Sequence, residues 1–115
     1  MKVRIKGNSL RYRLSMPDVA RFGRDGYIEE AVDFGKSRLV YALQKSPVQK
    51  LEAEFTDNRI VVFMPQSWAD EWIETDIVGF EQKGPLYILI EKDFQCLDNV
   101  SEDQSDNYPN PNLLC

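Results

Sequence analysis

The sequence predicts an α+β fold, an antiparallel sheet or a partly closed barrel with two short helices. Short segments alternate polar and apolar side chains, as residues 2–6 do, which is typical of strands with one buried face. Turn residues such as Gly7, Asn8 and Ser9 separate these segments. The 115 residues, 43% hydrophobic and 29% charged, suffice for one compact domain, and no apolar run approaches the roughly 20 residues of a membrane span.

The first half of the chain predicts a hairpin, a helix and a second hairpin. Residues 2–6 and 10–14 alternate on either side of a turn and predict the first pair of strands. Ser15 caps a short helix, with Asp18 in the capping-box position and Gly23 as its stop signal. Two more strands complete this half, at residues 27–34 and 38–45.

The second half predicts the same order of elements. Its strands lie at residues 50–55, 59–64, 77–82 and 86–92. Between the first and second pair, Pro65 opens a helix that runs to Glu74 and carries Trp68 and Trp72 four positions apart. At this spacing we expect the tryptophans to pack on the sheet. The alternative is an exposed aromatic patch that anchors a partner.

The repeated order predicts an internal duplication with half-repeats at residues 1–46 and 49–94 of one domain, residues 1–96. Identical residues recur at offsets of 48 and 46: Lys2/Lys50, Arg11/Arg59, Met16/Met64, Pro17/Pro65, Val32/Val78, Phe34/Phe80, Tyr41/Tyr87 and Leu43/Leu89. At the first offset, Arg4 and Lys6 correspond to Glu52 and Glu54. Side by side in an antiparallel sheet, such opposite charges would attract by about 0.2–1 kcal/mol per pair.

The missing residue types exclude most catalytic constellations. The chain has no histidine, which excludes Ser-His-Asp and Cys-His chemistry and most catalytic zinc sites. It also has no phosphate-binding loop, dinucleotide fingerprint or calcium-loop motif. Because the start has no apolar signal segment, we expect a cytoplasmic protein in which Cys96 and Cys115 are reduced thiols. A Cys-plus-carboxylate metal site in the tail is a weaker alternative.

Charge is spread unevenly along the chain. The formal net charge of −5 argues against general nucleic-acid binding, yet residues 1–24 hold seven bases and one acid, whereas residues 97–115 hold four acids and no base. The alternating basic strands predict one cationic face that binds phosphate or another anion: Lys2, Arg4, Lys6, Arg11 and Arg13. The alternative is a solvated face that pairs with Glu52 and Glu54.

Two segments near the C terminus are further candidates. Residues 91–97 end the last strand with charges and a thiol, which fits half of a site or a strand edge that meets solvent. The acidic tail, residues 97–115, is too polar to fold alone. Its candidate partner-docking residues are Asp103, Asp106, Tyr108 and Pro109, and docking on its own domain or disorder are the alternatives.

Residues 4–11 (RIKGNSLR), 91–97 (EKDFQCL) and 102–111 (EDQSDNYPNP) resemble a family of small uncharacterised bacterial proteins, a domain of unknown function. That resemblance implies no activity, but it implies that the tail belongs to the domain. A second, architectural similarity is to the CYTH-like triphosphate tunnel proteins, whose ExExK strand binds metal. Glu52 and Glu54 match its glutamates, while Thr56 replaces the lysine and the motif falls in mid-chain.

Together these features predict a small cytoplasmic binding or interaction module without catalysis and without a cofactor. Its partner would be an unidentified protein or a small anionic ligand. The alternative is a polyphosphate-binding protein or a metal-dependent phosphohydrolase, with the five bases on phosphate and Glu52 and Glu54 on Mg²⁺. A third interpretation is a structural homodimer that pairs sheet edges.

Overall fold

A computed structural model describes residues 1–94 and Tyr108 of the chain. Each half contributes two strand hairpins with a helix between them. The elements are β1 (Lys2–Lys6), β2 (Ser9–Leu14), α1 (Met16–Asp25), β3 (Tyr27–Asp33), β4 (Arg38–Ser46), β5 (Glu52–Thr56), β6 (Arg59–Pro65), α2 (Gln66–Glu74), β7 (Gly79–Gln82) and β8 (Tyr87–Lys92).

The eight strands form two sheets that each combine one hairpin from either half. Sheet A has the order β1-β2-β8-β7 and sheet B the order β3-β4-β6-β5. The outer pairs are antiparallel hairpins, but the central pairs, β2 with β8 and β4 with β6, are parallel. The α+β class is therefore confirmed, with mixed sheets that do not close into a barrel.

The first hairpin of each half turns through a two-residue loop that permits strand pairing. Gly7 has a φ of 53°, and Asp57 and Asn58 have φ values of 52° and 62°. Positive φ at these loop positions is what the tight hairpin turns require. Ser9 and Arg59 are thus equivalent first residues of β2 and β6, which sets the structural offset between these strands at 50.

This offset differs from the two that carry the sequence identities. In the parallel pairs Ser9 lies opposite Tyr87 and Arg59 opposite Val40, so β4 and β8 are equivalent at an offset of 47. Tyr41 and Tyr87, identical at 46, consequently lie on opposite faces of their sheets, because a one-residue slip exchanges the faces of a strand. The order of elements does recur, whereas duplication of the sequence remains a prediction.

The prediction that Arg4 and Lys6 form ion pairs with Glu52 and Glu54 within one sheet is wrong. β1 and β5 are the outermost strands of different sheets. Arg4 instead lies opposite Arg11, and Glu54 lies opposite Val61. The physical reason is that the first hairpin of each half joins the second hairpin of the other half.

Helix α1 begins as predicted but ends later. The Ser15 side chain accepts a hydrogen bond from the Asp18 backbone N–H, and the Asp18 side chain accepts one from the Ser15 N–H. The helix continues past Gly23 and ends at Asp25, where Gly26 caps it in the left-handed conformation with a φ of 72°. Gly23 has a different role, because a Cβ there would lie 3.3 Å from Ile73 of α2.

The core lies between the two sheets and the two helices. Tyr12 of sheet A donates a hydrogen bond to the Ile60 carbonyl of sheet B at 3.3 Å. Trp72 is fully buried, contacts Phe22 edge-on and donates to a backbone carbonyl, which confirms its predicted core role. Trp68 is half-buried and stacks on Phe80 with 5.3 Å between ring centroids.

Neither helix in the described part of the chain is long and apolar enough to cross a membrane. Tyr108 is 97% exposed. The other candidate residues of the C-terminal segment lie outside the described residues. These are Cys96, Asp103, Asp106, Pro109 and Cys115.

Candidate functional site: the basic face of sheet A

The outer face of sheet A gathers the five bases predicted from the sequence. Leu10, Tyr12 and Leu14 of β2 point into the core, so the residues between them point outward. The β1–β2 register places Lys2 opposite Arg13, Arg4 opposite Arg11 and Lys6 opposite Ser9. We call the five side chains the basic face: Lys2, Arg4, Lys6, Arg11 and Arg13.

One carboxylate organises the centre of the basic face. Oε1 of Glu91 accepts hydrogen bonds from Nε of Arg11 at 2.8 Å and from Nε of Arg13 at 2.7 Å. Nη2 of Arg11 lies 2.6 Å from the same oxygen. The side chains of Arg11 and Glu91 are only 11% and 12% exposed, whereas Arg13 is 42% exposed. Glu91 thus fixes two guanidinium groups side by side through charge-assisted hydrogen bonds.

A second carboxylate lies at the β1 edge of this face. Nζ of Lys2 is 2.8 Å from Oδ2 of Asp93. The backbone N–H of Asp93 donates to the Leu14 carbonyl at 2.8 Å, so the chain that leaves β8 passes the end of β2. Among the described residues, the carboxylates of Glu91 and Asp93 thus contact three of the five cations, Arg11, Arg13 and Lys2.

Sequence reasoning did not assign Glu91 and Asp93 to the basic strands. The charged ending of residues 91–97 was a visible signal, but only the parallel pairing of β2 with β8 places Glu91 opposite Arg13. Tyr87, also on this face, was missed as well. It donates a hydrogen bond to Glu81, and this bond raises the pKa of the Tyr87 phenol.

Glu52 and Glu54 are not part of this arrangement. They lie on β5 of sheet B, and Glu54 accepts a hydrogen bond from Thr56 at 3.2 Å. Among residues 1–94 and Tyr108, no group of three or more Cys, Asp or Glu side chains could hold a metal ion. The structure therefore does not bring the proposed metal ligands together with the proposed phosphate ligands.

The outer face of sheet B carries a separate, internally paired cluster. Tyr27 donates a hydrogen bond to Glu29 at 2.9 Å and accepts one from Arg59. Arg59 also lies 3.8 Å from the Glu29 carboxylate. The three groups satisfy one another, and the cluster contains one cation and one carboxylate.

A groove of about 550 Å³ lies beside the edge strand β5. Leu51 and Ala53 line one side, and Leu86 and Ile88 of the β7–β8 hairpin line the other. The basic face lies on the outer surface of β1 and β2, so the two features differ in position and in charge.

The fold and this face define the class of the protein, an α+β domain of two mixed sheets with a group of basic side chains on the outer face of sheet A. A family model described as a family of unknown function (DUF7009) matches residues 1–112. The chain belongs to this family, which agrees with the resemblance to a domain of unknown function. No curated protein and no solved structure matches the chain. Nothing supports the similarity to the triphosphate tunnel proteins, and the sheets enclose no tunnel.

Proposed function

We propose that this protein is a non-catalytic interaction module and that its basic face binds an acidic segment of a protein partner. The observation that carries the proposal is the pair Arg11 and Arg13, fixed side by side by Glu91 on a surface that also carries Lys2, Arg4 and Lys6. Side chains that are already ordered lose less conformational entropy on binding. Guanidinium groups are also well suited to carboxylates.

The shape of the face favours a polypeptide over a small phosphate compound. Small-molecule sites are usually concave and enclose most of the ligand. The basic face is the outer surface of two paired strands, and its five cations follow the strands rather than converge on one point. An extended acidic chain can meet successive cations along such a surface.

The proposal is tested with a fluorescent peptide of alternating Glu and Gly residues, measured by anisotropy at low and high salt. We expect saturable binding that weakens with salt, because exposed charges are screened. Arg13→Glu should weaken binding about tenfold or more. Lys36→Glu, a charge reversal in the exposed β3–β4 loop of sheet B, is the matched control and should change it little.

The same samples are titrated with tripolyphosphate, with and without magnesium. Thermal stabilisation by tripolyphosphate that grows with magnesium, without peptide binding, would overturn the proposal in favour of the phosphate interpretation. Equal peptide binding by wild type and Arg13→Glu would also overturn it, since the attraction would then lie elsewhere on the protein.

A further inference from the structure

We infer that the edge strand β1 of one copy pairs with the edge strand β5 of a second copy, so that sheet A of one molecule continues into sheet B of the next. The inference does not rest on the proposed function. It starts from the positions of these strands, because each is the outermost strand of its sheet in the described part of the chain. An exposed edge offers N–H and C=O groups to another strand.

The register of each hairpin shows which backbone groups face the edge. Opposite residues of an antiparallel pair alternate between hydrogen-bonded and non-hydrogen-bonded pairs, starting from the bonded pair that closes the two-residue turn. Lys6 with Ser9 and Thr56 with Arg59 are these closing pairs. Val3 and Ile5 on β1, and Ala53 and Phe55 on β5, consequently direct their N–H and C=O groups outward.

The same four residues carry apolar side chains on the core side of their strands. Ile5 is 61% exposed and Phe55 is 67% exposed, so both side chains are available to pack against an added strand. Ala53 also lines the groove beside β5. A strand added at β5 would cover this groove with its own apolar side chains.

The opposite side of each strand carries charges of opposite sign. β1 presents Lys2, Arg4 and Lys6, whereas β5 presents Glu52 and Glu54. Like charges directly opposite each other are unfavourable, so β1 resists pairing with β1 and β5 resists pairing with β5. The charges therefore favour the mixed pair.

In one antiparallel register of β1 with β5, opposite charges meet on the outer face, apolar side chains meet on the core face, and the backbone groups can form hydrogen bonds. With Arg4 opposite Glu54 of the second copy, Lys6 lies opposite Glu52. Val3 then exchanges two hydrogen bonds with Phe55, and Ile5 exchanges two with Ala53. The charged Arg4–Glu54 pair falls at a non-hydrogen-bonded position, where opposite side chains are closest.

The other edge strand of sheet B, β3, does not fit β1 in this way. Its edge-facing backbone groups belong to residues such as Glu29 and Ala31, whose side chains lie on the outer face. Pairing would place Val3 or Ile5 beside Glu29. Unlike β3, β5 offers β1 apolar neighbours on one side and opposite charges on the other.

The contact uses different patches on the two molecules, so it extends into chains or rings rather than closing a symmetric dimer. Two five-residue strands make a small interface, which implies weak, concentration-dependent association. Sedimentation velocity of the full chain, up to millimolar protein at low salt, should show a mass that rises above the 13.4 kDa monomer.

Charge reversal separates this pairing from unspecific attraction. E52K/E54K and R4E/K6E should each weaken association about tenfold or more, while an equimolar mixture of the two variants restores it. E71K/E74K, which reverses two exposed charges on α2, is the matched control and should associate like wild type. Circular dichroism confirms that each variant is folded.

A backbone test is independent of charge. Ile5→Pro removes an edge N–H that does not serve the β1–β2 pairing, so the hairpin keeps its own hydrogen bonds while association is lost. A wild-type protein that stays monomeric at millimolar concentration overturns the inference. So does association that survives E52K/E54K, or a variant mixture that remains monomeric.

Discussion

The two sheets have the same strand order and the same pairing, yet their outer faces carry different chemistry. In sheet A the centre of that face holds Arg11, Arg13 and Glu91. At the structural offsets of 50 and 47, the equivalent positions of sheet B hold Val61, Phe63 and Gln44. The two edge strands differ in the same sense, since β1 is basic and β5 is acidic.

This difference shows which side chains the strand pairing requires and which it merely allows. Sheet B pairs the same way with half-buried apolar side chains where sheet A has arginines, so the strand pairing does not require a cation at these positions. Arginine at a half-buried position costs desolvation that valine or phenylalanine does not. The proposed binding function would account for the charges of sheet A, and substitutions can test this explanation.

The largest change in the free energy of unfolding should come from breaking the contact between the two helices, one from each half of the chain. Phe22 and Trp72 occupy equivalent positions of α1 and α2 and contact each other edge-on, with 6.2 Å between ring centroids. Trp72→Ala removes this contact and a hydrogen bond to the Val78 carbonyl, and should lower the free energy of unfolding by about 3–5 kcal/mol. Urea denaturation measures the change.

Trp68→Ala is the matched control for this prediction. Trp68 lies one turn earlier in α2 and is only half-buried, so truncation leaves a smaller cavity and should cost clearly less. Equal losses for the two variants would show that the contact between the halves does not dominate the core.

A smaller loss of stability should follow when Glu91 is replaced by glutamine, the residue type that sheet B has at the equivalent position. Glu91→Gln leaves Arg11 and Arg13 close together without their shared carboxylate. Since Arg11 is mostly buried, we expect a loss of about 1–3 kcal/mol in unfolding free energy. The same variant should bind the acidic peptide more weakly, because Arg11 and Arg13 lose the carboxylate that fixes them side by side.

Glu54→Gln is the control, since Glu54 is exposed on β5, and its stability should stay within about 0.5 kcal/mol of wild type. A stability loss in Glu91→Gln with unchanged or tighter peptide binding would restrict Glu91 to a structural role. The explanation of the sheet difference by binding would then fail.

The elements of the fold were largely predictable because they depend on local patterns. Alternation located the strands, and the capping box located α1 through Ser15 and Asp18. The end of α1 was missed because Gly23 serves the approach to Ile73, and a sequence cannot distinguish a stop signal from a packing glycine.

The sheet pairing was not predictable, because it joins segments far apart in the chain. The five bases were correctly grouped from the alternation of one hairpin. Their carboxylate partner Glu91 required the parallel pairing of β2 with β8, and no local pattern encodes that pairing. Because the sheet pairing was unknown, the sequence analysis placed Glu52 and Glu54 beside the bases, although they lie in different sheets.

The smallest change in stability is expected at the N termini of the two helices, which also differ between the two halves of the chain. Helix α2 begins after Pro65 without a side-chain cap, whereas α1 has the reciprocal Ser15–Asp18 bonds. The Met1 ammonium also lies 2.8 Å from Asp18. Burial alone would raise the pKa of Asp18, but the hydrogen bonds from the ammonium and from Ser15 outweigh it and hold this pKa below its usual value.

Asp18→Asn should therefore cost about 0.5–2 kcal/mol of unfolding free energy at neutral pH. Because the pKa is lower in the folded state, the carboxylate stabilises the fold above the unfolded pKa of about 4, and this stabilisation is lost as pH falls through the folded value. Urea titrations below pH 5 should thus converge for wild type and Asp18→Asn. Ser15→Ala, which keeps the carboxylate and the ammonium contact, should stay less stable than wild type at both neutral and acid pH. If the Asp18→Asn deficit is the same at acid and neutral pH, the ion pair contributes nothing and the difference between the helix starts reduces to the cap alone.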